Sequence, residues 1–238
     1  MKPPPHPGAA PAQAAYDAIA PEYDAAVASS SWVRERLWER FDVLFPPGSR
    51  VLDVTAGTGL DVLHLLERGV RVTACDLSSG MLARLAVKAP SVRTIAADFN
   101  HLEETGLDGS FDGLISTFAG LNAASDLSGF ARGAARLVRP GGILFLHVLN
   151  PRRKRRDLIV KIAGVEVPHR LWSPRELARV FIPDFSLSRI AGQGILRSVD
   201  DPGQSMGRWE RVLSDLPIFR GLGTFFSLEL IRGITRRG

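Results

Sequence analysis

The residues best suited to chemistry lie where a short apolar segment, residues 51–54, runs into a glycine-containing turn at residues 55–59. Periodic leucines follow at once and predict a helix that starts directly after the turn. Gly57 and Gly59 allow the backbone to approach a ligand closely, since they carry no Cβ atom. A helix N-terminus directs unpaired N–H groups and partial positive charge to the same place. The junction therefore predicts a ligand-binding loop.

The spacing of the glycines excludes one common class of ligand. A dinucleotide-binding loop carries three glycines in the pattern G-x-G-x-x-G. Gly57 and Gly59 satisfy the first two positions, but Val62 occupies the third. The dinucleotide pattern is therefore not met.

Two aspartates stand at the carboxyl ends of the next predicted strands. Residues 70–76 form the second strand and end on Asp76, and residues 92–96 form the third, with Asp98 just beyond it. Asp76 follows Gly59 by 17 residues, a distance at which a neighbouring parallel strand brings a carboxylate to the ribose hydroxyls of a nucleoside. A helix-capping role for Asp76 is the structural alternative. The glycine turn and the spacing of Asp76 therefore predict a nucleoside site at one edge of a parallel sheet.

The motifs resemble those of class I S-adenosylmethionine-dependent methyltransferases of the small-molecule type. The first motif of that family is an acid followed by three glycines at alternate positions, and Asp53, Gly57 and Gly59 match it. Thr55 stands where the family has its first glycine. Its β-carbon is expected to narrow the turn beside the methionine half of the cofactor.

The resemblance implies S-adenosyl-L-methionine as the cofactor and assigns its parts to separate residues. Asp76 would accept hydrogen bonds from the ribose, Asp98 would accept one from the adenine amino group, and Phe99 would lie against the ring. Tyr23 would help to cover the cofactor, with a packing tyrosine as the structural alternative. The loop at residues 117–122 would line the sulfonium. The full set of implied cofactor contacts is Tyr23, Asp53, Thr55, Ala56, Gly57, Gly59, Asp76, Leu77, Met81, Asp98, Phe99, Thr117 and Phe118.

The same resemblance implies an α/β fold, a Rossmann-like doubly wound sheet of seven strands that is mostly parallel with an antiparallel last strand. It covers about residues 14–150 and includes residues 139–142, Arg-Pro-Gly-Gly, which resemble the family's L-x-P-G-G turn. We expect a Pro-rich disordered leader at 1–13 and then a single domain at 14–238. The expected parts of this domain are an N-terminal helical cap at 14–48, a cofactor-binding core at 49–150, and substrate-side loops with the last strands at 151–238.

The composition is ordinary for a globular protein. The 238 residues are 45% hydrophobic and 23% charged, with a formal net charge of +5. A basic surface favours anionic partners but selects none of them. Cys75 is the single cysteine, which excludes an internal disulfide and predicts a reducing, cytoplasmic location. No apolar run approaches the roughly 20 residues of a membrane span.

A basic run at residues 152–156 leaves several kinds of partner open. A solvated loop is the commonest meaning of such a run, and an anion-binding lip for a phosphorylated, carboxylated or membrane-surface substrate is the functional alternative. No aromatic residue interrupts the run, so no nucleic-acid groove is expected. We expect a small-molecule acceptor as the partner and predict no metal site. The sequence does not fix the oligomeric state.

Methyl transfer from a sulfonium needs little covalent help from a protein, because the donor is already activated and the leaving group is neutral. The rate arises from in-line orientation and from the removal of water. A general base matters only for an acceptor that arrives protonated. His147 and His169 are the candidate bases, and Asn122 and Asn150 are candidates to orient a substrate hydroxyl. A buried core histidine is the structural alternative for His147.

We therefore predict a methyltransferase that transfers a methyl group to O, N or C of a small molecule by in-line displacement. Residues 116–119, Ser-Thr-Phe-Ala, do not match the Asn/Asp-Pro-Pro-Tyr/Phe motif of DNA and RNA amino methylation. A non-catalytic S-adenosylmethionine-binding or partner protein that keeps the fold is the alternative, and Thr55 favours it. Nucleic-acid binding through the basic run rests on charge alone.

Overall fold

A computed structural model describes residues 9–28, 31–151, 157–196, 208–216, 218–219 and 222–233, and the basic run at 152–156 lies outside them. The strands are β1 Arg50–Asp53, β2 Arg71–Asp76, β3 Arg93–Ala96, β4 Phe111–Ser116, β5 Val138–Leu149, β6 Asp157–Ile162, β7 Val165–Arg170, β8 Phe185–Gln193 and β9 Phe225–Arg232. The α-helices are α1 Ala9–Ile19, α2 Tyr23–Ala26, α3 Ser31–Leu44, α4 Leu60–Glu67, α5 Ser79–Lys88, α6 Ser128–Leu137, α7 Pro174–Val180 and α8 Arg208–Asp215. Two 3₁₀ segments, Phe99–Thr105 and Gly120–Ala123, follow β3 and β4.

Seven strands form one sheet in the order β3-β2-β1-β4-β5-β9-β8. Strand β1 pairs in parallel with both β2 and β4, and the parallel pairing continues to β3 and β5. Strand β9 runs antiparallel to β5 and to β8, which confirms the predicted α/β sheet with an antiparallel last strand. The strand order reverses between β1 and β4, and such a switch point is where open α/β sheets bind ligands.

Helices cover both faces of the sheet because its central strands are apolar on both sides. Val51 and Leu52 are neighbours on β1, yet they join different core clusters, since successive side chains of a strand point to opposite faces. Phe41 of α3 packs in the cluster of Val51. Phe130 of α6 and Phe181 pack edge to face in the cluster of Leu52, with ring centroids 5.7 Å apart. Burial on both faces fixes the strand ends that carry the predicted site.

Helix α1 includes residues 9–13, the last part of the predicted disordered leader at residues 1–13, and corrects the prediction for those residues alone. The helix begins at Ala9, and only residues 1–8 of the predicted leader lie outside the described residues. Pro11 is tolerated in the first turn, where a backbone N–H has no intrahelical partner. Ala12 and Ala15 are buried against Val167 of β7, because small side chains let the helix lie close to the β6–β7 hairpin. The sequence pattern did not predict this hairpin.

None of the described helices is both long and apolar enough to cross a membrane. Within the described ranges, no group of three or more His, Cys, Asp or Glu side chains could hold a metal ion.

Candidate functional site

A cleft-like cavity that opens to solvent lies at the carboxyl ends of β1, β2 and β4. The empty space within it, including the part open to solvent, is about 790 Å³. Predicted cofactor residues that line it are Tyr23, Thr55, Ala56, Gly57, Asp76, Leu77, Met81, Phe99, Thr117 and Phe118. Most of the predicted contacts are therefore brought together at one place.

Three predicted contacts, Asp53, Gly59 and Asp98, do not line this cavity. Asp53 is buried beneath the glycine loop, and its Oδ1 accepts a hydrogen bond from the Thr55 backbone N–H at 3.1 Å. Burial, together with the neighbouring carboxylates of Asp61 and Asp76, raises the pKa of Asp53 well above its usual range. This aspartate therefore shapes the loop from below.

Gly59 and Asp98 have structural contacts that their motifs did not reveal. Gly59 has φ +88° and stands at the N-terminus of α4, and a Cβ atom there would lie 2.3 Å from Leu85 Cδ1. The backbone conformation thus requires glycine, and a larger residue would also displace the end of the Leu85 side chain of α5. Asp98 is buried and accepts a hydrogen bond from the Asn100 backbone N–H at 2.9 Å, so it caps the 3₁₀ segment after β3. The adenine contact of Asp98 stays a prediction.

The carboxylate of Asp76 is held in the cavity wall by backbone donors. Oδ2 accepts from Gly57 N at 2.8 Å, and Oδ1 accepts from Ser78 N at 2.9 Å. Each oxygen keeps a further lone pair for a ligand. Burial raises the pKa of Asp76 to about 6, although the backbone donors of Ser78, Gly57 and Leu77 oppose the rise. Asp76 therefore presents a fixed double acceptor to whatever occupies the cavity.

Asp61 and Arg34 form a buried ion pair in the cavity that the sequence reasoning missed. Arg34 Nη1 lies 2.6 Å from Asp61 Oδ1, and both side chains are almost fully buried. Trp38 Nε1 and Thr117 Oγ1 also donate to the Asp61 carboxylate, at 2.8 Å and 2.6 Å. Burial alone would raise the pKa of Asp61, but Arg34 and the Thr117 hydroxyl bring it below the usual value. The sequence shows Asp61 as an acid in the first turn of α4, but it does not indicate that Arg34 is its partner.

The loop after β4 is strained and anchored from two sides. Phe118 and Ala119 have φ values of +47° and +65°, which non-glycine residues rarely adopt. Their backbone N–H groups donate to His147 Nδ1 at 3.2 Å and to the His147 carbonyl at 3.1 Å. Arg34 lies over the Phe118 ring, 4.0 Å from its centroid. The predicted lining loop is thus held in one conformation.

Neither predicted catalytic histidine lines the cavity. His147 is fully buried on β5 and stacks on Phe225 with centroids 4.7 Å apart, and burial lowers its pKa to about 3. His169 is buried on β7, donates from Nδ1 to the Val167 carbonyl at 3.0 Å, and also has a pKa lowered by burial. The geometry gives both imidazoles a neutral, structural setting, and their catalytic use stays a prediction.

The two candidate orienting amides also bond to backbone. Asn122 Nδ2 donates to the Arg170 carbonyl at 2.6 Å, and Asn122 Oδ1 accepts from Leu149 N at 3.0 Å. Asn150 Nδ2 donates to the Gly223 carbonyl at 3.1 Å. Both amides join loops at the carboxyl edge of the sheet.

The N-terminal helices close one side of the cavity. Asp17 of α1 accepts from Ser78 Oγ at 2.5 Å and from Gly80 N at 2.9 Å, and Asp24 of α2 accepts from Thr58 Oγ1 at 2.5 Å. Tyr16 and Tyr23 line the cavity and meet edge to face, with centroids 6.4 Å apart. Burial raises the pKa of both phenols, so both stay neutral at physiological pH.

Comparison with known proteins identifies a domain within the chain. Residues 51–142 match the family described as "Methyltransferase domain". This part of the chain is therefore a methyltransferase domain. The motifs that match the family's pattern stand on β1, β2, β3 and the turns beside them, as the resemblance implied.

Relatives of this domain are named demethylmenaquinone methyltransferase. The protein from Beutenbergia cavernae is 37% identical over 132 residues, which is 54% of this chain and 54% of the relative. The protein from Mycolicibacterium vanbaalenii is 36% identical over 132 residues, or 54% of this chain and 56% of the relative. The chain thus spans about half the length of the curated relatives it matches.

Solved structures share the fold of the methyltransferase domain over nearly the whole chain. The [4+2]-cyclase SpnF has a TM-score of 0.72 at 17% identity, and the match covers 98% of this chain and 100% of SpnF. The DhpI–SAH complex has a TM-score of 0.68 at 20% identity, covering 94% and 97%. At such identities the likeness shows the fold alone.

Proposed function

We propose that this chain transfers the methyl group of S-adenosylmethionine to an O, N or C atom of a small-molecule acceptor by in-line displacement. The Asp76 carboxylate supports this assignment most strongly. Two backbone N–H groups fix it in a cavity at the switch point of the sheet, with both oxygens able to accept more hydrogen bonds. A ribose with two adjacent hydroxyls suits that acceptor pair.

The other residues around the cavity suit the remaining parts of S-adenosylmethionine. Leu77, Met81 and Phe99 offer apolar contact for adenine. Arg34, although paired with Asp61, has further N–H donors for the methionine carboxylate, since a guanidinium carries five. When bound, the cofactor supplies an activated methyl group on a sulfonium.

The chain's own contribution is orientation and the exclusion of water. Thr117 and Phe118 belong to a loop fixed by Asp61 and His147, so the cavity wall at this point is rigid. Helices α1 and α2 cover the cavity. Asp17 of α1 accepts a hydrogen bond from Ser78, and Asp24 of α2 accepts one from Thr58. We propose that the transfer proceeds without a histidine base, because both candidate imidazoles lie outside the cavity lining. Preorganised geometry then supplies the rate enhancement.

The identity of the acceptor goes beyond the family assignment. We propose demethylmenaquinone as one acceptor to test, because the chain is similar to about half the length of proteins named demethylmenaquinone methyltransferase. A phosphorylated or lipid-linked acceptor, a membrane-surface contact and a cytoplasmic location stay predictions.

A cofactor-binding protein without methyl transfer is the second candidate. A [4+2]-cyclase shares this fold, so the fold alone does not assign the reaction. The fixed Asp76 and the anchored loop at Thr117–Phe118 favour cofactor binding in both cases.

Transfer is tested with methyl-labelled S-adenosylmethionine and a panel of phenols, amines, quinols and demethylmenaquinone. The proposal is supported if a product becomes labelled and the labelling is lost in Asp76→Ala. Cofactor binding without transfer to any acceptor favours the second candidate. A protein that binds no cofactor contradicts both candidates. Ser173→Ala serves as the control, because Ser173 caps α7 and does not line the cavity.

A further inference from the structure

Thr55 and Gly120 meet across the cavity wall, in a space too small for two ordinary side chains. A Cβ atom built on Gly120 would lie 2.5 Å from Thr55 Cγ2 and 2.7 Å from Thr55 Cβ. Contacts under 3.0 Å force a shift, and Thr55 Cβ is attached directly to the backbone, so it yields little. Gly120 begins a 3₁₀ segment and its φ lies outside the left-handed region. Space, rather than backbone conformation, therefore requires glycine at position 120.

The Thr55 hydroxyl joins the glycine loop to the loop after β4. Thr55 Oγ1 lies 2.9 Å from Ser116 Oγ and accepts a hydrogen bond from Thr117 N at 3.2 Å. The Thr55 backbone N–H is itself held by Asp53. A glycine at position 55 would lose both hydroxyl contacts. The residue that departs from the family's first motif thus gives the loop an anchor that the motif itself does not provide.

Both residues lie in the part of the cavity wall that carries the buried ion pair. Thr117 donates to Asp61, and Arg34 lies over Phe118, so this part of the wall holds both members of the ion pair. Thr55 and Gly120 both line the same cavity. Asp76, by contrast, is bound to Gly57 and Ser78. A change of volume at the Thr55–Gly120 contact is therefore expected to act on the part of a ligand that reaches Arg34.

We propose that Thr55 and Gly120 are a size-matched positioning pair that sets the shape of the cavity around the methionine half of the cofactor. The assignment of that half rests on the proposed function. The volume that threonine adds at position 55 is accommodated because position 120 has no Cβ atom. Thr55 is thus compatible with a working cofactor site. A residue larger than glycine at position 120 is compatible with that site only if position 55 becomes glycine.

Calorimetry with two ligands tests the pair. S-adenosylhomocysteine carries the amino-acid half, whereas 5′-methylthioadenosine keeps the adenosine and lacks it. Gly120→Ala is expected to lower the affinity for S-adenosylhomocysteine about tenfold, which is within the range of coupling between neighbouring residues. The affinity for 5′-methylthioadenosine is expected to change by no more than about twofold. Thr55→Gly combined with Gly120→Ala is expected to restore the affinity to within about threefold, because the clash is removed. Thr55→Ala combined with Gly120→Ala is expected to stay weak, because the 2.7 Å contact between β-carbons remains.

A matched control separates this effect from a general loss of stability. Gly133→Ala in α6 places a Cβ 2.9 Å from Leu102 Cβ, and Gly133 does not line the cavity. It is expected to lower the melting temperature without changing the ratio of the two affinities, and Thr55→Gly is not expected to repair it. The pairing would be overturned if Gly120→Ala lost the same affinity for both ligands. It would also be overturned if the affinity for S-adenosylhomocysteine did not recover in the Thr55→Gly, Gly120→Ala double variant.

The outcome also separates this inference from the proposed function. If the natural chain binds neither ligand, the proposed function fails. Thermal unfolding of the same four single and double variants then decides the size match. A Thr55→Gly, Gly120→Ala protein that melts above Gly120→Ala supports it, and one that melts at or below Gly120→Ala contradicts it.

Discussion

Protonation of Asp76 is expected to weaken the binding of S-adenosylhomocysteine in mildly acidic solution. Burial raises the pKa of this carboxyl from its ordinary 3.8 to about 6, while the Ser78 and Gly57 backbone donors oppose the rise. Ribose hydroxyls that donate to Asp76 bind the ionised form more strongly, because a charged acceptor makes the stronger hydrogen bond. The ligand therefore binds preferentially to the protein with ionised Asp76, and a lower pH reduces the fraction of that form.

The size of the effect follows from the pKa. With a value of about 6, the ionised fraction of Asp76 falls about tenfold between pH 7 and pH 5, which is about 1.4 kcal/mol of binding free energy. Unfolding does not account for such a loss. A carboxyl whose pKa is raised on folding binds its proton more tightly when folded, so protonation of Asp76 from pH 6 to pH 4 stabilises the free protein. Asp61, whose pKa is lowered, loses its stabilising charge only below its ordinary value of 3.8.

The assay is calorimetric titration of S-adenosylhomocysteine at pH 7, 6 and 5, beside Asp76→Asn. The asparagine offers one acceptor oxygen to the two N–H groups of Gly57 and Ser78, so its affinity is expected to fall by about 1–3 kcal/mol and to be independent of pH. A natural-chain affinity that stays constant from pH 7 to pH 5, or a midpoint near pH 4, would refute the reasoning.

Three further changes test other parts of the site. His147→Leu leaves the Phe118 N–H without its acceptor and is expected to cost about 1–3 kcal/mol of unfolding free energy, whereas His147→Asn keeps an acceptor oxygen; urea unfolding measures both, and a shift of the pH–rate profile by His147→Asn would contradict a structural role. Arg34→Met leaves Asp61 buried without its cation and is expected to cost roughly 3–5 kcal/mol in the same assay, and less when combined with Asp61→Asn; an unchanged urea midpoint would count against the ion pair. Ser173→Ala removes the capping box of α7 and is expected to cost about 1 kcal/mol with no change in cofactor affinity; a loss of affinity would place α7 in the site.

The parts of the site that the sequence predicted are local in the chain. Gly57 and Asp76 sit at strand-to-helix junctions, where glycine, an acid and the change from strand to helix periodicity occur within a few residues. Parallel pairing then brings the two junctions together. A strand–turn–helix pattern is therefore enough to predict which residues share one edge of the sheet.

The parts that the sequence did not predict depend on packing between distant segments. Arg34 comes from a cap helix whose apolar stripe gives no sign that one arginine turns inward to Asp61. His147 lies on a strand with apolar residues on both faces, so periodicity could not fix its direction. In the β6–β7 hairpin the apolar residues are interrupted only by Lys161 and Glu166, which is too little for a clear alternation. Gly164 marks the turn, where Ala163 and Gly164 have φ values of +47° and +82°.

The most direct test of the central claim is calorimetric titration of the chain with S-adenosylmethionine and S-adenosylhomocysteine beside Asp76→Ala. We predict one site per chain, micromolar affinity for both ligands, and loss of binding in Asp76→Ala. The absence of binding by the natural chain at millimolar ligand, or binding that Asp76→Ala leaves unchanged, would contradict the cofactor site described above.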